Sequence, residues 1–350
     1  MEEHRNGRSG NIDGGEDILG SQKMTFNKFL VQYNVLIIFI LLIVVSSFVS
    51  PVFLTWTNVL NILRQESVYI IISMGMLMVM LTGGIDLSVS GVAAVGSIMV
   101  TIGVTKWGFN TGLGVFLVIL ISIGVCTLFG VFNGVLISYL KMPAFLVTLA
   151  TSIAAQGFAY VITNGSPIAL DSSHKAVNSF TAFGQDSDPV LGIPYQIYLV
   201  IVIVLIFFFI LKYTSFGRLV VATGSNATAA KLAGIDTLKY IFLVYVICGL
   251  LTGIGGVLIA SSNGASTPMT TASDYNLSTI AGTVIGGTSL MGGEGSAGFT
   301  VIGILIIGLI GNIMNLVNLP AYPQLIVKAL VIILAVFLKG VSGKNSAKTL

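Results

Sequence analysis

A single carboxylate interrupts a long apolar part of the chain, directly after two adjacent glycines. Asp86 lies in the segment TGGIDLS at residues 82–88, and no other acidic residue occurs between residues 67 and 170. An ionised carboxylate at membrane depth costs about 2.5–3.5 kcal/mol, so it needs a polar partner or contact with water. Two interpretations stay open. Asp86 either caps the next helix through the N–H groups of Ser88 and Val89, or faces a polar path, where it binds solute hydroxyls or couples the chain break to opening.

Neutral amides are the other polar groups inside apolar stretches. An amide both donates and accepts hydrogen bonds, which suits a neutral polyol better than a charged solute. The alternative for each residue is a bond between neighbouring helices, worth about 0.6–2 kcal/mol. With Asp86 these amides form the predicted solute path: Asn133, Gln156, Asn276, Asn312 and Asn315.

A polar, basic stretch at residues 214–238 separates two apolar segments in the second half of the chain. Its core, NATAAKLA, predicts a short helix that Ser225 or Asn226 caps and Gly234 ends. The predicted exposed face is small, consisting of Ala227, Ala229, Ala230 and Ala233. Such a face suits a socket on a soluble partner, although an ordinary loop helix is an equally open interpretation.

Signatures of catalysis and cofactor binding are missing from the sequence. There is no G-x-x-x-x-G-K-[ST] segment to hold nucleotide phosphates, no zinc-type spacing and no G-x-S-x-G. The two cysteines, Cys126 and Cys248, lie in apolar runs and indicate packing rather than a disulfide or metal site. No basic patch interleaved with aromatic residues suggests nucleic acid. We therefore expect no enzymatic activity, cofactor or metal on this chain.

Composition places the chain in a membrane. Of its 350 residues 55% are hydrophobic and 8% charged, with a mean hydropathy of +0.99, whereas soluble domains carry about 25% charged residues. Several apolar runs approach the roughly 20 residues that a spanning helix needs. The predicted fold is an all-α polytopic membrane protein with about ten transmembrane helices and both termini in the cytoplasm.

The predicted spans divide the chain into a membrane domain at 34–339 and two cytoplasmic tails, a disordered one at 1–33 and a short one at 340–350. Residues 55–66 are predicted to lie at the interface, with Trp56 at headgroup depth. The Gly130 and Gly134 pair predicts close helix packing. The eighth span is weak and is the one that could be re-entrant. Residues 164–195, between the fifth and sixth spans, are predicted to form the longest polar loop, on the outer side. The ten spans cover about 35–54, 67–82, 87–105, 112–140, 143–163, 196–212, 239–260, 276–290, 297–318 and 321–338.

Charge distribution supports this arrangement. With ten spans and the N-terminus inside, twelve of the sixteen Lys and Arg residues fall on the cytoplasmic side, as the positive-inside rule requires.

Two distant segments, 78–91 and 285–298, share an apolar helix, a Gly-Gly pair and an acidic residue. Paired broken helices in the two halves of a transporter often mark its substrate path, although a chance similarity between two Gly-rich segments is an equally open interpretation.

Three motifs together resemble one family. The stretch from Gly217 to Ile235 reads G-R-x-x-x-A-x-G-x-N-x-x-A-A-K-x-x-G-I; residues 82–88 read TGGIDLS; and Tyr275 begins Y-N-L-S-T-I-A, followed by GGTSL and GGEG. These motifs are similar to those of membrane permeases in the ribose, xylose, arabinose and galactose branch of bacterial ABC importers. The chain departs from the family pattern at Ser90, which stands for glycine, and at Asn276 and Ser278, which replace two acids.

The resemblance implies an assembly in the bacterial inner membrane. In that family the loop at 214–238 is the coupling helix that docks on the ATPase subunit, which binds ATP and Mg²⁺. It also implies a second permease copy or paralogue, an extracytoplasmic solute-binding protein and a sugar substrate. The predicted coupling residues are Gly217, Arg218, Asn226, Ala229, Ala230, Lys231 and Gly234.

Two alternatives remain. One is an ABC permease for branched-chain amino acids, nucleosides or a signalling molecule. The other is an ion-coupled secondary transporter, against which the scarcity of intramembrane acids counts.

Overall fold

The computed structural model of the protein describes residues 33–171, 173–266, 268, 275–331 and 333. Apart from Tyr33, the predicted tail at 1–33 lies outside these ranges. The predicted tail at 340–350 and most of the tenth predicted span beyond residue 331 lie outside them as well.

The described residues form helices joined by short loops and one two-stranded pairing. The helices are α1 Asn34–Val49, α2 Trp56–Leu81, α3 Val89–Thr105, α4 Gly112–Gly134, α5 Ala144–Thr163, α6 Lys175–Gln185, α7 Tyr195–Tyr213, α8 Ser215–Ser225, α9 Ala227–Leu232, α10 Thr237–Asn263, α11 Tyr275–Ile285, α12 Ala297–Leu316 and α13 Ala321–Val331. A π-helical turn, Val135–Tyr139, extends α4. Strands β1 Ile168–Ala169 and β2 Ala265–Ser266 pair antiparallel.

Six of the helices in the described ranges are long and apolar enough to cross a membrane: α2, α4 with its π-helical end, α5, α7, α10 and α12. Three shorter apolar helices, α1, α3 and α13, coincide with three further predicted spans. The eighth predicted span is the exception. Its described helix, α11, has 11 residues, about 16 Å of rise, which is roughly half of the 30 Å hydrocarbon core.

Two sequence predictions about local structure were wrong. Residues 55–66 do not form a separate interfacial segment, because α2 runs without interruption from Trp56, where the Thr55 side chain caps it, to Leu81. The loop predicted at 164–195 contains an ordered helix, α6. Its buried Val177, Phe180 and Gly184 recur at helical spacing, so α6 has an apolar face that contacts α10.

Helices α2 and α10 form the centre of the bundle. Every residue of α2 from Ile70 to Leu81 is buried, and α10 contacts α2, α3, α4 and α6. Such enclosure requires apolar residues around the whole circumference, and α2 provides them with four methionines and four isoleucines.

Close approach of α4 and α10 confirms the predicted role of the small-residue pair. A Cβ on Gly130 would strike the Tyr245 carbonyl, and one on Gly249 would lie 2.7 Å from the Cys126 carbonyl. Gly134 lies against Phe242 in the same way. The backbones of α4 and α10 are therefore in contact at these glycines, where a side chain on either helix would not fit.

We call the two ends of the bundle the α9 end and the hairpin end. At the α9 end, the last residue of α2, Leu81, contacts the α8 residue Gly224. At the hairpin end, β1 pairs with β2 and Arg64 of α2 donates to Ser187 in the loop after α6.

Candidate functional site

The short helix α9 has the predicted capping. The Asn226 side chain accepts a 2.9 Å hydrogen bond from the Ala229 N–H, so Asn226 rather than Ser225 is the N-cap. Gly234 has a φ of +81°, a left-handed conformation that glycine adopts without strain, and its N–H donates to the Lys231 carbonyl. Both helix-end predictions from the sequence are confirmed.

The predicted exposed face of α9 needs one correction. Ala227, Ala229 and Ala233 are exposed, but Ala230 is buried, with 5% of its surface accessible. Ala230 occupies the face of the helix that turns inward, so the prediction that it is exposed was wrong. Leu232 is instead 86% exposed, and the free surface of α9 is therefore more apolar than the sequence suggested.

The remaining predicted coupling residues lie around this helix. Gly217, in the first turn of α8, is buried against the Ile210 carbonyl and Leu211. Arg218 and Lys231 are exposed, and the Arg218 guanidinium donates to the Ser215 hydroxyl at 3.1 Å. The α9 end thus presents positive charge beside an exposed leucine.

Three glycine-containing segments meet at the α9 end of the bundle. The Gly293 N–H donates to the Leu81 carbonyl at 2.9 Å, and Gly224 lies against both residues. A Cβ on Gly292 would come within 3.0 Å of the Gly224 carbonyl oxygen and within 2.9 Å of the Gly83 nitrogen. We call this contact of residues 81–84, 224–225 and 291–293 the glycine junction. It joins the three motifs that carried the family resemblance, and it brings together the two segments that share a Gly-Gly pair.

Asp86 is buried beyond this junction and starts a chain of polar contacts. Its carboxylate accepts from the Ser88 N–H at 2.8 Å and the Ser88 hydroxyl at 2.5 Å. Asn133 of α4 donates to that hydroxyl at 3.0 Å and accepts from Thr151 of α5 at 2.6 Å. Of the two predicted capping bonds, the one from the Ser88 N–H is present, and within the described residues none comes from the Val89 N–H. Asp86 therefore organises the turn into α3 and, through Ser88, links it to α4 and α5.

The other predicted amides separate into three locations. Asn276 accepts a 2.8 Å bond from the Ser90 N–H and donates its own N–H to the Ser90 hydroxyl, so it joins α11 to the first turn of α3. Asn312 exchanges two hydrogen bonds with Asn58, at 2.8 and 3.0 Å, across α2 and α12. Asn315 accepts from Gln324 at 2.8 Å. Gln156 is half-buried on α5 and lines none of the cavities described here.

A polar cavity of about 440 Å³ lies toward the hairpin end, within the size range of small-molecule sites. Asn312 and Asn315 are in its wall, whereas Asp86, Asn133, Gln156 and Asn276 are not. Charged, amide and hydroxyl groups dominate the lining. These groups come from Arg64, Gln65, Glu66, Tyr69, Gln185, Gln196, Ser262, Asn263, Tyr275, Ser278, Gln324 and Lys328.

Most of these residues were not identified from the sequence. Glu66 and Arg64 fell in the segment assigned to the interface. Gln185 fell inside the outer loop predicted at 164–195, and Gln196 was the first residue of the sixth predicted span. The available signal was an acid and a base two residues apart at the start of a long apolar run. Within the described residues, no group of three His, Cys, Asp or Glu side chains is placed to hold a metal ion.

Comparison with known proteins gives consistent matches. The profile of a family described as branched-chain amino acid transport system / permease component matches residues 58–336. The chain is 39% identical to the ribose import permease protein RbsC of Haemophilus influenzae, over 88% of this chain and 93% of that protein. It is 33% identical to the Escherichia coli L-arabinose transport system permease protein AraH, over 89% and 91%. It is 34% identical to the E. coli D-allose transport system permease protein AlsC, over 93% and 97%. No solved structure matches the chain.

Proposed function

Because the chain belongs to the family of permease components of branched-chain amino acid transport systems, we propose that it is the permease subunit of an ABC importer for a monosaccharide or similar polar solute. The observation that carries the proposal is the near full-length similarity to permeases that are named for ribose, arabinose and allose. The cargo class is a neutral polyol, for which the amide-rich cavity is chemically suited.

The proposed location is the bacterial inner membrane, with ten spans and both termini in the cytoplasm. Six candidate spans and the shorter apolar helices α1, α3 and α13 supply nine of these crossings. We assign the tenth to the predicted span at 276–290, although α11 itself covers only about half of the hydrocarbon core. The α9 end is then cytoplasmic. Lys141, Lys212, Arg218, Lys231 and Lys239 belong to the loops and helix ends at this side, in agreement with the positive-inside rule.

ATP hydrolysis is assigned to a separate subunit, which would bind ATP and Mg²⁺ and dock at residues 214–238. Support comes from the exposure of α9, its capped ends and the exposed Leu232. Docking of an ATPase can shift the permease between two states only through contacts that differ between those states. The glycine junction is the route we propose, because it joins the α8–α9 segment to the end of α2 and to the loop between α11 and α12.

Two further partners complete the proposal. A second copy of the permease or a paralogue would flank the transport path, and a secreted solute-binding protein would deliver the sugar at the hairpin end. The ordered α6 and the β1–β2 pairing give that end a fixed surface rather than a set of long loops.

The test is reconstitution of the permease in proteoliposomes with the ATPase and the solute-binding protein from the same gene cluster. Uptake of radiolabelled ribose, arabinose, allose and leucine is measured with and without ATP. We expect uptake of one sugar that requires both ATP and an active ATPase. An ATPase variant that cannot hydrolyse ATP is the control.

The description of the matching family favours one second candidate, a branched-chain amino acid permease. ATP-dependent uptake of leucine without uptake of any sugar would establish it. Sugar uptake by the permease alone, driven by an ion gradient, would contradict both ABC assignments.

A further inference from the structure

The hairpin-end cavity contains one acidic side chain from α2, Glu66. Glu66 follows Trp56 by ten residues in the same continuous helix, which places it roughly 15 Å along the axis from the start of α2. It therefore lies ten residues inside a helix that is long and apolar enough to cross a membrane, and an acidic side chain at membrane depth is costly and usually functional.

Two polar side chains of the cavity wall have hydrogen-bonding capacity that the described residues do not use. Glu66 is buried, with 9% of its surface accessible, and within the described residues nothing donates a hydrogen bond to its carboxylate, while Arg64 Nε is buried without a hydrogen-bond partner. Asn312 and Asn315 in the same wall already have side-chain partners. A carboxylate with unused acceptor capacity can bind a ligand hydroxyl without breaking an existing bond, so the structure favours a hydroxyl-bearing ligand at Glu66 rather than at the two asparagines.

A glycine on the facing helix makes the space that Glu66 occupies. A Cβ added to Gly308 of α12 would lie 2.5 Å from both Cγ and Cδ of Glu66 and 2.6 Å from its Oε1. Gly298, ten residues earlier on the same helix, has nothing within 4 Å of its added Cβ and does not line the cavity. The slot is therefore specific to Gly308, and a methyl group there would displace the Glu66 side chain.

Two stacked tyrosines lie in the same cavity. The rings of Tyr69 and Tyr275 have centroids 4.6 Å apart and are tilted by 38°. A sugar presents hydroxyl groups at its edge and C–H groups on its ring faces, so it can use a carboxyl group and an aromatic surface at once. A carboxyl group can accept hydroxyl bonds when ionised, and can also donate one when protonated.

We propose that Glu66, held in the slot at Gly308, binds hydroxyl groups of the transported sugar, while Tyr69 and Tyr275 contact its C–H face. This inference rests on the proposed function, because it names the residues that recognise the cargo of that permease. Asp86 is not part of this recognition site, since its carboxylate is bonded to Ser88 outside the cavity. A purely structural alternative is that Glu66 only balances the positive charge of Lys328, which lines the same cavity and lowers the cost of the carboxylate.

The test measures uptake and ATP hydrolysis in proteoliposomes that contain the complete transporter, at a saturating concentration of sugar-loaded binding protein. Glu66→Met is expected to lower the uptake rate about 10-fold or more, as loss of a hydrogen bond to a charged group implies. ATPase stimulation by the loaded binding protein should remain near the wild-type level. Glu66→Gln keeps the shape of the side chain and one acceptor oxygen, so it should lower the uptake rate less than Glu66→Met does.

Gly308→Ala and Gly298→Ala form the matched pair, and they keep the inference testable if Glu66→Met fails to assemble. Gly308→Ala should behave like Glu66→Met, while Gly298→Ala, outside the cavity, should retain wild-type uptake. Mono-deoxy sugars provide a second readout. If Glu66 binds a hydroxyl group, the sugar that lacks this group should be transported at rates that differ little between wild type and Glu66→Met.

Three results would overturn the inference: wild-type uptake by Glu66→Met, equal behaviour of the two glycine variants, or an equal effect of Glu66→Met on every deoxy sugar. The last result would identify Glu66 as a structural partner of Lys328. Failure of the proposed function is distinct, because the wild-type transporter would then carry no monosaccharide at all.

Discussion

The backbone N–H of Gly293 donates a 2.9 Å hydrogen bond to the carbonyl oxygen of Leu81, the last residue of α2. Gly224 of α8 lies against both residues, where a side chain would have no space. The segment that carries α9 is thus in backbone contact with the end of α2 and with the loop between α11 and α12. Backbone contacts of this kind transmit a displacement without depending on side-chain rotamers.

Replacement of Gly224 by alanine tests the junction. The added methyl group would collide with the Leu81 carbonyl oxygen and lie 2.9 Å from the Gly293 nitrogen, so the three loops must separate. We expect uptake to fall about tenfold or more while ATP hydrolysis continues, since overpacking costs about 1–3 kcal/mol. Gly298→Ala is the control, because its Cβ meets nothing within 4 Å. Equal uptake by the two variants would contradict the role of the junction.

Leu232→Asp tests docking at α9. Leu232 is 86% exposed, and burial of such a side chain at an interface contributes about 1.5–3 kcal/mol, which an aspartate would remove. We expect the ATPase to dissociate from the detergent-solubilised complex, as measured by co-purification. Val190→Asp is the matched control, since Val190 is 84% exposed but lies in the loop that joins α6 to α7. Retention of the ATPase by Leu232→Asp would refute docking at this residue.

Asn226→Ala should loosen α9 without affecting membrane insertion. The substitution removes the hydrogen bond that the Asn226 side chain accepts from the Ala229 N–H. This loss costs about 1 kcal/mol of helix stability. Hydrogen–deuterium exchange of residues 227–233 should therefore become faster. Ser225→Ala removes a bond to the Val221 carbonyl instead, and exchange in α9 should stay unchanged. Identical exchange rates in the two variants would show that the cap does not stabilise the helix.

Asn133→Ala should destabilise the bundle. Asn133 connects the Ser88 hydroxyl to Thr151, and its removal leaves buried polar groups without a partner, at a cost of about 1–3 kcal/mol. The measurement is the midpoint of thermal unfolding in detergent. Gln156→Ala is the comparison, because this half-buried amide makes no hydrogen bond within the described part of the chain. A larger loss of stability for Gln156→Ala than for Asn133→Ala would contradict the stabilising role of Asn133.

Features with a local physical cause were predicted well. Asn226 caps α9 and Gly234 ends it because capping depends on a side chain and a φ angle within a few residues. Gly130 marks the contact of α4 with α10 because a missing Cβ permits close approach. Cys126 and Cys248 are buried and free, as their apolar surroundings indicated.

Features that depend on distant segments were not predicted. Ala230 and Ala229 are neighbours of the same type, and only the packing of α9 determines that the first is buried and the second exposed. Nothing in the local sequence of Glu66 specifies that it would face Gly308, 242 positions later, since apolar helices allow many pairings. The meeting of Gly83, Gly224 and Gly292 is equally long-range, although each glycine was individually visible.

The unbroken course of α2 has a mechanical consequence. Leu81 and Glu66 lie on one helix, 15 residues apart, and no proline or helix break separates them, so they are roughly 22 Å apart along its axis. A stiff rod of this length moves as a unit. A shift of α2 along its axis at Leu81 would therefore displace Glu66 as well. Such a shift would couple the proposed sugar contact at Glu66 to the nucleotide state of the ATPase.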